Sequence, residues 1–109
     1  MADQSETPVL DLLSSMTAAS IEASGLDAQT LMLVRIAALV AVDAPPASYM
    51  MNLDAASELD VDPEKVRDVL AAVAPIVGTA RIVSATGNIM RALAIELELL
   101  ELAETPVEA

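Results

Sequence analysis

The side chains that most often carry chemistry are missing from this sequence. It holds no cysteine and no histidine. There is therefore no thiol nucleophile, disulfide or thiolate metal site, and no imidazole to shuttle a proton or bind a metal. Carboxylates, hydroxyls, amides and five basic residues remain. Glu58, Asp60, Asp62 and Glu64, acids at alternate positions, look like the opening of a calcium loop. Such a loop needs glycine at its sixth position and glutamate at its twelfth. Counted from Asp60 these are Lys65 and Ala71, so the acids are expected to cap and solvate a turn. Glu96, Glu98, Glu101 and Glu104 bring no partner ligands and suit a solvated helix face. No metal site and no cofactor is expected.

Three further groups could serve a site. Arg35 is the one charge in an apolar segment. It must find an acid, reach solvent or face a polar pocket, because an unpaired buried charge is costly; an ion pair, within the subunit or across subunits, is the expectation. Tyr49 and Asn52 stand three apart, so on a helix their polar ends can converge. Met32, Met50, Met51 and Met90 could form a pliable binding lining, but core filling is the commoner use and the one expected.

The elements that would position these residues are all helical. Thr7-Pro8 makes a helix start, with Thr7 as N-cap and proline where its missing N–H costs nothing. Val9, Leu12, Leu13, Met16 and Ala23 keep helical spacing up to Gly25. Asp27 caps a second helix over 28–42 that is apolar nearly all round. A helix of that kind is buried on every face, so it should be central, a subunit contact, or both. Asp43-Ala44-Pro45-Pro46 breaks it and leads, from Asp43 or Ala44, into a third helix over 46–59 with Tyr49, Leu53 and Ala56 on one face. Asp62-Pro63-Glu64 starts a fourth, with Val66, Val69, Leu70, Val73 and Val77 inward and Pro75 kinking or ending it before Gly78. Helical spacing returns from Thr79 to Ala103, with a break or kink expected at Thr86-Gly87-Asn88. The expectation is an all-α, compact single-domain bundle of five to six helices over 7–104, with flexible tails at 1–6 and 105–109.

Composition adds constraints on partners. Hydrophobic residues make up 55% of 109, with one aromatic, Tyr49. That much apolar surface on so small a domain predicts a homo-oligomer. A net charge of −12 disfavours nucleic acid and anionic membranes, which need a basic footprint. The polar, acidic start is unlike a signal peptide. The longest apolar run, Ile36 to Val42, is far short of the ~20 residues of a membrane span. A cytoplasmic protein is expected.

Leu26-Asp27-Ala28-Gln29-Thr30 leading into Leu33-Val34-Arg35-Ile36-Ala37-Ala38-Leu39-Val40-Ala41 resembles the entry helix of the carboxymuconolactone decarboxylase-like superfamily, which includes the alkyl hydroperoxidase D-like proteins. Val61-Asp62-Pro63-Glu64-Lys65-Val66 and Val69 through Gly78 extend the resemblance, which spans about residues 26–85. It implies a helical subunit assembled into trimers or hexamers, with sites near subunit boundaries. In the peroxidase branch a C-x-x-C pair precedes a histidine four residues on; the matching positions here are Pro45, Ser48 and Asn52. The decarboxylase branch's histidine also matches Asn52, and the family's acid in the preceding helix matches about Met32 or Leu33. None of these can supply a redox thiol or shuttle a proton. No thiol-peroxidase activity is expected.

The resemblance also places Arg35 and Arg81 near Tyr49 and Asn52. Such a corner suits a small anion or carboxylate, which a guanidinium fork and an amide can hold. Three readings follow: a non-catalytic or regulatory oligomer that binds a protein or a small carboxylate, an enzyme of altered chemistry in that crevice, or a purely structural assembly unit.

Overall fold

The computed structural model describes residues 6–104, and side chains through Ala94. Both predicted tails lie outside it except for Glu6, as do the side chains of Glu96, Glu98, Glu101 and Glu104. Five helices follow one another: α1 (Pro8–Ala23), α2 (Ala28–Ala41), α3 (Pro46–Glu58), α4 (Pro63–Val77) and α5 (Thr79–Glu104). The chain is an all-α single domain.

Local chemistry sets the boundaries. Asp27 and Asp62 are side-chain N-caps, accepting from the Thr30 and Lys65 amides at 2.8 and 3.0 Å. Each thereby satisfies an amide that the first helical turn would leave unpaired. Proline opens α1, α3 and α4. Asp43 differs from its expected role: it closes α2 rather than opening α3, whose N-cap is Pro45. The Asp43 amide donates to the Val40 carbonyl at 3.2 Å and the Ala44 amide to Leu39 at 3.0 Å. After α3, Asp60 donates to Ser57 at 3.1 Å and Val61 to Ala56 at 2.9 Å. Both aspartates are left-handed, with φ of 55° and 62°, and both are followed by a buried apolar residue, Ala44 or Val61. This is the same helix-ending motif twice, with aspartate standing where glycine is commoner.

The core lies among α2 to α5. Ile36, Val40, Tyr49, Leu53, Ala56, Val66, Ala85, Ile89 and Ala92 are buried, with Val69, Leu70, Val73 and Val77 packed against them. The faces predicted for α3 and α4 are the ones turned inward. Around α2 the expectation of burial on every face fails within the subunit: Val34 and Val42 are 51% and 70% exposed. At Pro75 the helix continues only to Val77 before Gly78 ends it. No break occurs at Thr86-Gly87-Asn88, and α5 runs through it. There the Asn88 side chain donates to the Ala44 carbonyl and Ser84 donates to Asp43, so α5 holds the α2–α3 turn.

α1 stands apart. None of its residues is buried, and Val9, Leu12 and Met16 are each more than half exposed. Its spacing marks a helix, but the apolar face is not packed into this subunit's core.

Candidate functional site

Two concavities flank the core. One, of about 500 Å³, opens between α1, α2 and α3. The walls from α2 and α3 are Leu31, Met32, Arg35, Met51, Asn52 and Ala55; Thr17 and Ile21 of α1 supply the opposite wall. The cap at Asp27 fixes where α2 starts, and the Gln29 amide reaches the Leu59 carbonyl at 2.9 Å, tying that start to the end of α3. Lys65 in turn donates to Gln29 at 3.2 Å, so α4 joins the same brace. The α2 and α3 walls are thus rigidly placed, whereas the α1 wall is not.

Arg35 is half-buried at this boundary. Its Nη2 donates to the Ser20 hydroxyl at 3.1 Å and to the Thr17 carbonyl at 3.4 Å. Within the subunit Arg35 has no ion pair: among the described residues the one salt bridge is Arg67–Glu64, at 3.9 Å on the surface. A carbonyl and a hydroxyl satisfy Nη2 without neutralising the charge, and Nη1 and Nε are left for another acceptor. Asn52 donates to the Ser48 carbonyl one turn back at 2.8 Å, which leaves its Oδ1 as an acceptor.

Of the residues anticipated at the site, Arg35 and Asn52 therefore share a crevice. Tyr49 does not join them. It is fully buried in the core, and its hydroxyl has no hydrogen-bond partner among the described residues. Burial, and then the negative charge of Asp43, push its phenol above the ordinary value of 10.0. Three residues on a helix turn through about 300°, so the two side chains share one side of α3 about 60° apart: Tyr49 points into the core, and Asn52, one turn on, lies at the edge of that face where it lines the crevice. Arg81 is exposed on α5 and lines neither concavity. Pro45 and Ser48 sit at the start of α3, before the crevice.

The methionines divide. Met32 is buried in the core cluster and Met50 packs against it, whereas Met51 and Met90 are 69% and 66% exposed. Met32 and Met51 both border the first crevice and Met90 the second, so core filling describes Met32 and Met50, while Met51 and Met90 stand exposed on the concave surfaces. Thr17 and Ile21 were missed as site residues because nothing in the α1 pattern indicates which face meets α2.

The second concavity, of about 380 Å³, is a groove between α3, α4 and α5. Val66, Leu70, Ile89, Met90 and Leu93 line it, with Arg67 at the rim. Among the described residues no group of three or more acids is placed to hold a metal ion, and no helix is long and apolar enough to cross a membrane.

Comparison with curated proteins and with solved structures gave no match. The model of the carboxymuconolactone decarboxylase family, however, matches residues 8–88, from the first residue of α1 into α5 as far as Asn88, whose contact braces the bundle. That match covers most of the 109 residues, including every residue that lines the Arg35 crevice, and the chain belongs to the carboxymuconolactone decarboxylase family.

Proposed function

We propose that this protein is a non-catalytic, ligand-binding member of its family, a homo-oligomer that takes a small carboxylate with an apolar body into the crevice between α1, α2 and α3. The observation that carries the reading is Arg35: a guanidinium with no acid paired to it among the described residues, facing a cavity of about 500 Å³ whose other walls are chiefly Leu, Met, Ile and Ala. A carboxylate would supply the missing negative charge at Nη1 and Nε and form charge-assisted hydrogen bonds. The apolar body would lie against Leu31, Met32 and Met51, and Asn52 Oδ1 would accept from a hydroxyl or amide on the ligand. A cavity of this size and mostly apolar lining is usual for small-molecule sites.

Absence of cysteine and histidine supports a binding role over the family's redox and proton-transfer chemistry. Tyr49 would be the obvious acid for altered chemistry, and its hydroxyl is enclosed in the core.

The test is thermal unfolding with acetate, benzoate and hexanoate. The parent protein should be stabilised by the larger two in proportion to the logarithm of concentration, by about 2.7 kcal/mol at a hundred times the dissociation constant. Arg35→Met should abolish the effect, and Asn52→Leu should weaken it. If none of the three acids shifts the parent's melting, the carboxylate reading fails.

A further inference from the structure

We infer that Ser20 and Thr17 make α1 a displaceable latch on the Arg35 crevice: a carboxylate that takes the guanidinium in a two-oxygen fork releases α1 from α2. This rests on the carboxylate reading above and adds its regulation. It follows from the shape of the guanidinium, whose five N–H groups lie in one plane. A carboxylate can meet two of them side by side along the Nε–Nη2 edge or along the Nη1–Nη2 edge. The third edge, between Nε and Nη1, is blocked by the Cδ of the side chain's own stem. Both open edges therefore include Nη2. That nitrogen has two hydrogens and already two acceptors, the Ser20 hydroxyl at 3.1 Å and the Thr17 carbonyl at 3.4 Å. With both in place a carboxylate reaches Nη1 or Nε through a single oxygen. To form the fork it must displace one of the two α1 acceptors.

The exchange favours the ligand. A hydroxyl and a backbone carbonyl are neutral acceptors, whereas a carboxylate brings charge to both sides of each bond, which makes such bonds roughly twice as strong. Little is lost on α1 in return. Ser20 is exposed, so its hydroxyl passes to water. Thr17 lies inside the helix Pro8–Ala23, where the amide four residues on serves its carbonyl as well. Neither group is left unpaired when Arg35 lets go.

The rest of α1 offers small resistance to release. None of its residues is buried, and Ile21, its apolar residue in the crevice wall, is 52% exposed. Residues 24–27, which join it to α2, lie outside both helices. An added methyl group at Gly25 would meet nothing within 4 Å, so this joint turns in open space. The helix can swing about 24–27 without unpacking the core, while Gln29, bonded to Leu59 and Lys65, keeps α2 in place. Occupancy of the crevice is thereby turned into a change in the position of the first helix.

The probes are benzoate and hexanoate, with hexanamide as the uncharged counterpart. Removing a competing acceptor should tighten binding: by calorimetry the dissociation constants for Ser20→Ala should fall about three- to tenfold below the parent's, the worth of one hydrogen bond. Ser20→Thr, which keeps the hydroxyl, should match the parent. Movement is read from spin labels on a Ser15→Cys, Ile76→Cys variant, diluted into excess unlabelled protein so that pairs within one subunit dominate. The chain has no cysteine of its own to take a label. Ser15 stands about 200° round α1 from Thr17, and Ile76 is 86% exposed on α4, so neither lines the crevice. Saturating hexanoate should lengthen and broaden the distance between the labels, and hexanamide should leave it unchanged. Binding by the parent with the Ser20→Ala constant unchanged or raised, or with unmoved labels, overturns the latch and leaves the carboxylate reading standing. Binding by Ser20→Ala alone supports the latch, the parent's being too tight to displace. No binding by either protein overturns both.

Discussion

Tyr49 brings a hydroxyl into a core of aliphatic side chains, where it finds no hydrogen-bond partner among the described residues. Leaving such a group unpaired costs its desolvation, while the ring beneath it packs as any large apolar group does. Tyr49→Phe should therefore keep the packing and raise stability at pH 7 by about 1 kcal/mol, measured by urea unfolding. The sign of the pH effect follows from the raised phenol. In the unfolded chain the phenol ionises near 10.0, and in the folded chain only at higher pH. Stability from the neutral form is fully present below that value and declines as pH climbs through the folded one. The parent should lose stability above pH 10 more steeply than Tyr49→Phe. Equal slopes would show that the phenol is not enclosed in solution. Arg35 is the other case at this scale. Its isolation among apolar residues was legible in the sequence, but its partners were not: a backbone carbonyl and a serine on a separate helix leave no pattern in composition or spacing.

Two glycines of similar appearance in the sequence behave oppositely in their helices. Gly87 lies inside α5, and a methyl group added there would meet nothing within 4 Å. Gly87→Ala should remove backbone freedom from the unfolded chain and stabilise by about 0.5–1 kcal/mol. Gly78 has φ 87° and ψ 164°, a conformation nearly restricted to glycine, between α4 and α5. Gly78→Ala should cost about 1–3 kcal/mol. Thermal melts of the two variants should move in opposite directions, and a destabilised Gly87→Ala would mean that α5 is bent there after all. Helix starts were the most readable features, since Asp27, Pro8 and Asp62-Pro63 act through neighbours within a turn. The end of α2 was placed within a residue, but Asp43 was assigned to the start of α3 because aspartate is commoner as an opener than as a left-handed closer. Gly87 was misread because its local preference is outweighed by contacts from Ala85, Asn88 and Ile89 to distant elements. The apolar repeat of α1 identified a helix correctly but could not say whose core it joins. The same limit hid Thr17 and Ile21 from the site.

At the scale of the molecule, the radius of gyration is 16.2 Å, against about 13 Å for a closely packed domain of this length. The difference reflects α1 standing off the core and the reach of the 26-residue α5. In the proposed homo-oligomer each copy carries −12. If apolar surfaces hold the copies together, salt should strengthen the assembly as the Debye length shrinks from ~30 Å at 0.01 M to ~8 Å at 0.15 M. Sedimentation at the two ionic strengths should show tighter association in the second; dissociation by salt would mean that ion pairs hold the copies together. The uncovered α1 also has a consequence during synthesis. It leaves the ribosome ahead of α2 to α5, and the finished core of those four helices leaves Val9, Leu12 and Met16 uncovered. Until something covers them, Val9, Leu12 and Met16 stay in water, open to chaperones, proteases and wrong partners. If the proposed homo-oligomer is what covers them, production of this protein should be governed by how fast new chains meet, with subunit concentration setting how many survive to be counted as folded.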